Sequence, residues 1–202
     1  MTQTPGATSQ LILLLGGARA GKSAHALRLA AACEDISNAE VCFIATAQAL
    51  DDDMTARIAR HRAERPPHWR TIEEAYQIDE ALQQAGDASI VIVDCLTLFV
   101  SNWLLRHKDG HECEQLVGQT TREFLNRARS QQQTIICVAN EVGMGVVPET
   151  RLGRAFRDLL GHVNQDFAAA ADEVYLLVAG LAVQVKPGNE TSPLLGNNIP
   201  GS

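Results

Sequence analysis

The chain has 202 residues, enough for one domain with tails, and its 46% hydrophobic and 20% charged composition is that of a globular protein with a buried core. Aromatics make up only 4%, so aliphatic residues and alanine must fill that core. A net charge of −7 argues against bulk electrostatic binding to DNA, RNA or an anionic membrane, while a local basic patch can still hold a small anion. No apolar run reaches membrane-spanning length. The segment from Met1 to Gln10 lacks the basic start of a signal peptide and is expected to be a disordered tail. The five cysteines are odd in number and well spaced, and are expected to be reduced thiols in a cytoplasmic protein.

The working domain is expected over residues 11–186, with a second flexible tail, rich in Pro, Gly and Asn, over 187–202. Short apolar runs at Leu11–Leu15, Val41–Ala45, Ile90–Val93, Thr134–Ala139, Val174–Val178 and Leu181–Val185 read as strands. Most are continuous rather than alternating, the pattern of strands buried on both faces. The last two flank Gly180 and read as a terminal hairpin at a sheet edge. Helical spacing occurs at about 22–33, 52–62, 74–85, 112–130 and 150–171. This alternation, with the phosphate-loop pattern that Gly16–Ser23 places after the first strand, predicts an α/β fold like that of P-loop NTPases. Its mostly parallel sheet carries helices on both faces and a C-terminal edge hairpin. Ligands of such folds sit beyond the carboxyl ends of the strands.

The first strand runs into Gly16, Gly17, Ala18, Arg19, Ala20, Gly21, Lys22 and Ser23, the pattern G-x-x-x-x-G-K-S of a phosphate-binding loop. Its glycines let main-chain N–H groups turn inward around phosphate oxygens, and the following helix points its positive end at the same anion. Lys22 adds a cation for the terminal phosphates, and the Ser23 hydroxyl is placed to hold Mg²⁺. The bland alternative is a plain Gly-rich strand-to-helix turn. Asp94 ends the apolar run Ile90–Val93, so it is either the second carboxylate of a metal site or a cap on the next helix.

Five arginines, Arg57, Arg60, Arg62, Arg65 and Arg70, crowd into fourteen positions together with His61 and His68. A solvated helix face balanced by Asp51, Asp52, Asp53 and Glu64 is one reading. A phosphate-binding face is the other, since guanidinium groups suit bidentate phosphate contacts. His61 stands one helical turn from both Arg57 and Arg65. Its ring is a candidate nucleophile toward phosphorus. It also shares a helix side with Met54 and Ile58, which leaves a packed structural histidine as the alternative. His107, His111 and Cys113 form a weak metal-like grouping with no fourth ligand in view. Trp69 and Trp103 read as packing residues.

Several segments together resemble the bifunctional adenosylcobinamide kinase/adenosylcobinamide-phosphate guanylyltransferase family of cobalamin biosynthesis. They are the phosphate loop, Ile44–Thr46, the run Asp52–His61, Arg65-Pro66, His68–Thr71, Asn140–Glu149 and Gly161–Gln165. The resemblance implies two reactions. Adenosylcobinamide is phosphorylated with ATP or GTP, and GMP then passes from GTP to that phosphate through a GMP–histidine intermediate at His61. It further implies nucleotide contacts from residues 16–23, from Ala45, Thr46 and Ala47, from Arg62, Ala63, Glu64 and Arg65, and from Glu73 and Asp94. Mg²⁺ is expected at Ser23 and Asp94, and acceptor or metal positioning at Asn140 and Glu141. Relatives imply a homo-oligomer, with a trimer as the state to test. Ala20 departs from the serine common in relatives, and Arg60 stands where some carry an additional histidine. Two other functions fit the residues without the resemblance: a simple small-molecule kinase with His61 structural, and a nucleotide-switched binding protein.

Overall fold

The apolar runs of the sequence become the strands of one seven-stranded sheet. A computed structural model describes residues 10–37, 39–107 and 110–187. In chain order the elements are β1 (Gln10–Gly16), α1 (Lys22–Ser37), β2 (Val41–Ala45), α2 (Asp52–Ala63), β3 (Arg70–Glu73), α3 (Ile78–Ala85) and β4 (Ile90–Asp94). They continue with α4 (Leu96–Arg106), α5 (Gly110–Ser130), β5 (Thr134–Val138), α6 (Arg151–Ala170), β6 (Glu173–Val178) and β7 (Leu181–Lys186). The strand order is β3-β2-β4-β5-β1-β6-β7, parallel throughout except for the antiparallel β7. The expected tails fall outside the described residues except for Gln10 and Pro187.

Alternation along the strands divides the core between the two faces of the sheet. Leu11, Leu13, Cys42, Ile44, Val91, Val93, Ile135 and Cys137 pack with residues of α3–α6, including Phe99, Phe124 and Phe167. Ile12, Leu14, Phe43, Ile90, Ile92, Ile136 and Val138 pack on the other face with Ala26 and Ala30 of α1. The small alanines let α1 lie close to β4 and β5, which brings the start of that helix near the end of β4. None of the five cysteines is in a disulfide. Burial pushes the thiols of Cys42, Cys113 and Cys137 up, away from the reactive thiolate.

Three elements differ from the sequence reading. Helix α4 was not expected, because Leu96–Leu105 is apolar nearly all round and shows no amphipathic stripe. Strand β3 is four residues long with charged ends, too short to announce itself. Helix α3 starts at Ile78 rather than 74, because Glu74 accepts hydrogen bonds from the N–H groups of Tyr76 (2.8 Å) and Gln77 (3.0 Å) and holds that segment in a turn. The edge hairpin is present. Its two-residue turn has left-handed φ at Ala179 (51°) and Gly180 (84°), as tight hairpins require. Its end is tied down by Lys186, whose Nζ donates to the carbonyls of Ala168 (3.1 Å) and Ala169 (3.0 Å) at the C-terminus of α6.

The close approach of β1 to β6 yields a stability prediction. Gly16 has φ of 152°, and a Cβ built there would lie 2.5 Å from the Leu177 carbonyl oxygen. Gly16→Ala is expected to cost roughly 1–3 kcal/mol in urea unfolding. Gly17→Ala, with nothing within 4 Å of the added carbon, should stay within about 0.5 kcal/mol of the parent.

Candidate active site

Parallel register brings the chemistry-bearing residues to one end of the sheet. Ala45 pairs with Asp94, and Asp94 with Val138. β1 feeds the phosphate loop beside them. In that loop Gly16, Arg19 (φ 60°) and Gly21 (φ 91°) all take left-handed backbone conformations, which reverse the chain between β1 and α1. The hairpin turn supports the loop from behind, because the Gly180 N–H donates to the Ala20 carbonyl at 3.0 Å. A Cβ on Gly21 would meet the Gly180 Cα at 3.3 Å. Lys22 is buried, and its Nζ donates to the carbonyls of Gly16 (2.9 Å) and Gly17 (2.7 Å). Burial lowers the lysine's proton affinity, opposed by the neighbouring Asp94 carboxylate, while the nearby Arg57 lowers it further.

The carboxylate of Asp94 accepts a hydrogen bond from Ser23. It caps no helix, since the N-cap of α4 is Cys95. Asp94 keeps a little solvent contact at the cavity floor, yet protein atoms crowd its carboxyl. This burial pushes the carboxyl up from its ordinary value, against the Ser23 hydrogen bond and the charges of His61, Arg65 and Lys22. Next to it, burial and the Asp94 charge push the Cys95 thiol up to about 12, so it stays protonated and inert.

Helix α2 supplies the opposite wall. Asp51 caps its start by accepting from Met54 N–H at 2.6 Å, Asp52 and Asp53 fill the first turn, and Arg60, His61 and Arg62 the last. This charge layout complements the helix dipole. The helix buries no residue completely. Met54, Ile58 and His61, the side read as apolar, face a cavity of about 230 Å³ instead of the core. That cavity is also lined by Ala45, Ala47, Ala49, Arg62, Arg65, Glu73 and Leu98. A second cavity, of about 600 Å³, runs along Ala18–Ala24 to Arg60, Glu64, Thr97 and Asn140. Ser23, Arg57, His61, Asp94, Cys95 and Leu98 line both.

The expected site residues are therefore largely brought together, with instructive exceptions. Arg62 pairs with Glu73 at 2.7 Å across the cavity mouth. Arg65 lies 3.6 Å over the Phe43 ring and donates to the Thr71 hydroxyl at 3.4 Å. Thr46 is fully buried. Its hydroxyl donates to the Cys95 carbonyl and accepts from the Cys95 N–H, both at 2.7 Å, so it holds the ends of β2 and β4 together. Ala63 lines neither cavity. Glu141 also lies outside both; its N–H donates to the Gly16 carbonyl (3.0 Å) and its carboxylate accepts from Gly143 N–H (2.5 Å). Arg70 of the basic run points elsewhere, donating to the carbonyls of Gln84 and Ala85 at the end of α3. His68 pairs with Glu34 (2.7 Å), which also accepts from the Trp69 indole N–H (2.9 Å). Trp69 and Trp103 are both buried, Cys113 lies in the core, and His107 faces Glu112 at 3.4 Å.

Thr97 and Leu98 were not read from the sequence, because they sit on the unexpected helix α4. The Thr97 hydroxyl accepts from Asn140 N–H (2.7 Å), and Asn164 donates to the Asn140 carbonyl (3.0 Å). These two bonds fix the main chain of Asn140, a residue that lines the phosphate-loop cavity.

A family model described as cobinamide kinase / cobinamide phosphate guanyltransferase matches residues 12–185, almost the whole described domain. The chain belongs to this family. Its similarity to curated relatives agrees. The bifunctional adenosylcobalamin biosynthesis protein CobU of Escherichia coli (strain K12) is 42% identical over 185 residues, covering 87% of this chain and 99% of the relative. The protein of the same name from Salmonella typhimurium is 40% identical over 186 residues, with the same shares covered. The bifunctional protein CobP of Pseudomonas aeruginosa is 43% identical over 176 residues, covering 86% of this chain and 96% of the relative. The chain is thus a cobinamide kinase / cobinamide phosphate guanyltransferase family enzyme of cobalamin biosynthesis, and the nucleotide use this implies suits the phosphate loop.

The raised Asp94 carboxyl carries a pH signature. A folded-state value above the unfolded one favours folding at low pH, and this contribution is lost as pH rises through the folded value. Asp94→Asn is therefore expected to melt at higher temperature than the parent at pH 7. The gap should shrink on acidification and vanish below the ordinary carboxyl value of 3.8. Thermal melts across a pH series check it.

Proposed function

We propose that this family member phosphorylates adenosylcobinamide with ATP or GTP, and then transfers GMP from GTP to the new phosphate through a GMP–histidine intermediate at His61. The observation that carries this reading is that His61, Ser23 and Asp94 line both of two adjoining cavities. One is walled by the phosphate loop, the other by apolar side chains and the Arg62–Glu73 pair. A nucleoside triphosphate laid across them puts its terminal phosphates on the loop and its α-phosphorus near the seam. An imidazole nitrogen at His61 then attacks that phosphorus and pyrophosphate leaves. In the second half, a phosphate oxygen of the acceptor displaces the ring and regenerates it.

Lys22 balances phosphate charge, and the inward-turned N–H groups of residues 16–23 bind phosphate oxygens without reorganising. In this reading Ala45 and Ala47 give the nucleoside a flat apolar wall, with Thr46 fixing their turn. Arg65 and the Arg62–Glu73 pair border the base, Ala63 and Glu64 continue the same helix end, and Asn140 and Glu141 shape the acceptor side. The hydroxyl of Ser23 and the carboxylate of Asp94 are hard oxygen donors already in contact, which fits Mg²⁺. Among the described residues no group of three His, Cys, Asp or Glu could hold a metal alone, but a phosphate-loop magnesium takes most of its ligands from phosphate and water. When bound, it would neutralise phosphate charge. We place the acting unit at residues 11–186, in the cytoplasm, as a homo-oligomer, with a trimer as the first state to test. No described helix is long and apolar enough to cross a membrane, and the net-acidic chain is not built for nucleic acid.

Incubation with GTP labelled at the α-phosphate tests the reading. The parent should acquire an acid-labile, alkali-stable label, and His61→Ala should acquire none. Lys22→Ala should lower cobinamide phosphorylation by roughly 10²–10³-fold. Normal phosphorylation without any protein-bound label would make His61 structural and the chain a simple kinase.

A further inference from the structure

Among the arginines that line the two cavities, only Arg57 lines both. It sits one helical turn before His61 on α2, so the two side chains share a face. Of the other arginines in the basic run, Arg60 lines only the phosphate-loop cavity. Arg62 is paired with Glu73, Arg65 is laid on Phe43, and Arg70 bonds the end of α3. Arg57 makes no hydrogen bond or ion pair among the described residues, so its five donors remain available toward the cavities. On the other side it is close enough to Lys22 for its charge to act on that ammonium. A cation that lines both cavities beside the attacking ring, and whose charge reaches the phosphate-loop lysine, is placed to meet a bound triphosphate.

We propose that Arg57 binds the leaving pyrophosphate in the guanylylation step, stabilising the charge that develops on it as His61 attacks. The inference rests on the nucleophile reading of His61. In that step the bond from the imidazole nitrogen to the α-phosphorus forms and the bridging bond from that phosphorus to oxygen breaks. The electron pair goes to the pyrophosphate oxygen, and the other ring nitrogen keeps its proton. In-line displacement puts the departing oxygen opposite the ring, on the side of the phosphate loop. Negative charge therefore grows on the Lys22 side of the seam, within the cavity surface that Arg57 lines. A guanidinium is always charged and presents a planar fork, so it suits two oxygens of a phosphate group. Because the charge on the departing oxygen grows as the bond breaks, the contact strengthens toward the transition state and should act on rate more than on GTP affinity.

The test uses the full chain and two measurements on Arg57→Ala and Arg57→Lys. The first is the single-turnover rate of protein labelling at saturating α-labelled GTP. The second is the pyrophosphate concentration needed to reverse a preformed adduct. Arg57→Ala is expected to slow labelling by on the order of 10²-fold. It should raise the half-saturating pyrophosphate, while Arg57→Lys recovers part of both. An unchanged melting temperature shows that the helix still folds. Labelling by Arg57→Ala within about threefold of the parent, a small change of the kind expected of a rim charge, overturns the proposal. So does a slowed rate with unchanged pyrophosphate dependence, which would make Arg57 a positioning residue. If the parent itself never acquires label, the His61 reading fails together with this one. A labelled parent beside an indifferent Arg57→Ala removes only the arginine's role.

Discussion

The contact between Ser23 and Asp94 organises this molecule. It joins the first turn of α1 to the end of β4 across the intervening strand β5, and so ties the phosphate loop to the strand that carries the acid. Neither residue would be near the other without the parallel register. The alanines on the inner face of α1 let the helix sit low enough for the hydroxyl to reach. The carboxylate is crowded by protein, and the cationic side chains of Lys22 and Arg65 act against that burial. The site is thus a concentration of cations around one buried acid, within a chain whose overall charge is negative.

Much of this was legible in the residues. Strands of Leu, Ile and Val with no polar alternation announced a sheet covered on both sides, and the glycine spacing after Leu15 announced the loop. His61 was the ambiguous residue, since its helix side also carries Met54 and Ile58. The structure shows why periodicity misleads there. That side does face apolar surroundings, but they line a cavity rather than the core, and a hydrophobic stripe looks the same in either case. Helix α4 was missed for the reverse reason. It is apolar nearly all round, so no stripe exists to be seen, and Thr97 and Leu98 were lost with it. Arg70 shows the limit of charge clustering, because adjacency in sequence placed it with the basic run while the strand geometry of β3 turned it toward the end of α3.

Helix α2 reconciles two readings of the basic run. Acids in its first turn and bases in its last are what the helix dipole favours, so part of the pattern is local structure. The same arrangement aims the bases at the open end of the sheet, where anionic substrate would lie. Local stability and the proposed phosphate contacts therefore ask for the same residues in the same turn, and composition alone cannot separate them.

The turn at Ala179 and Gly180 reaches back to the main chain of Ala20. The last hairpin of the domain thereby braces a loop encoded near its beginning. A ribosome releases these two pieces far apart in time. The nascent protein therefore carries this loop without its brace until the closing strands emerge.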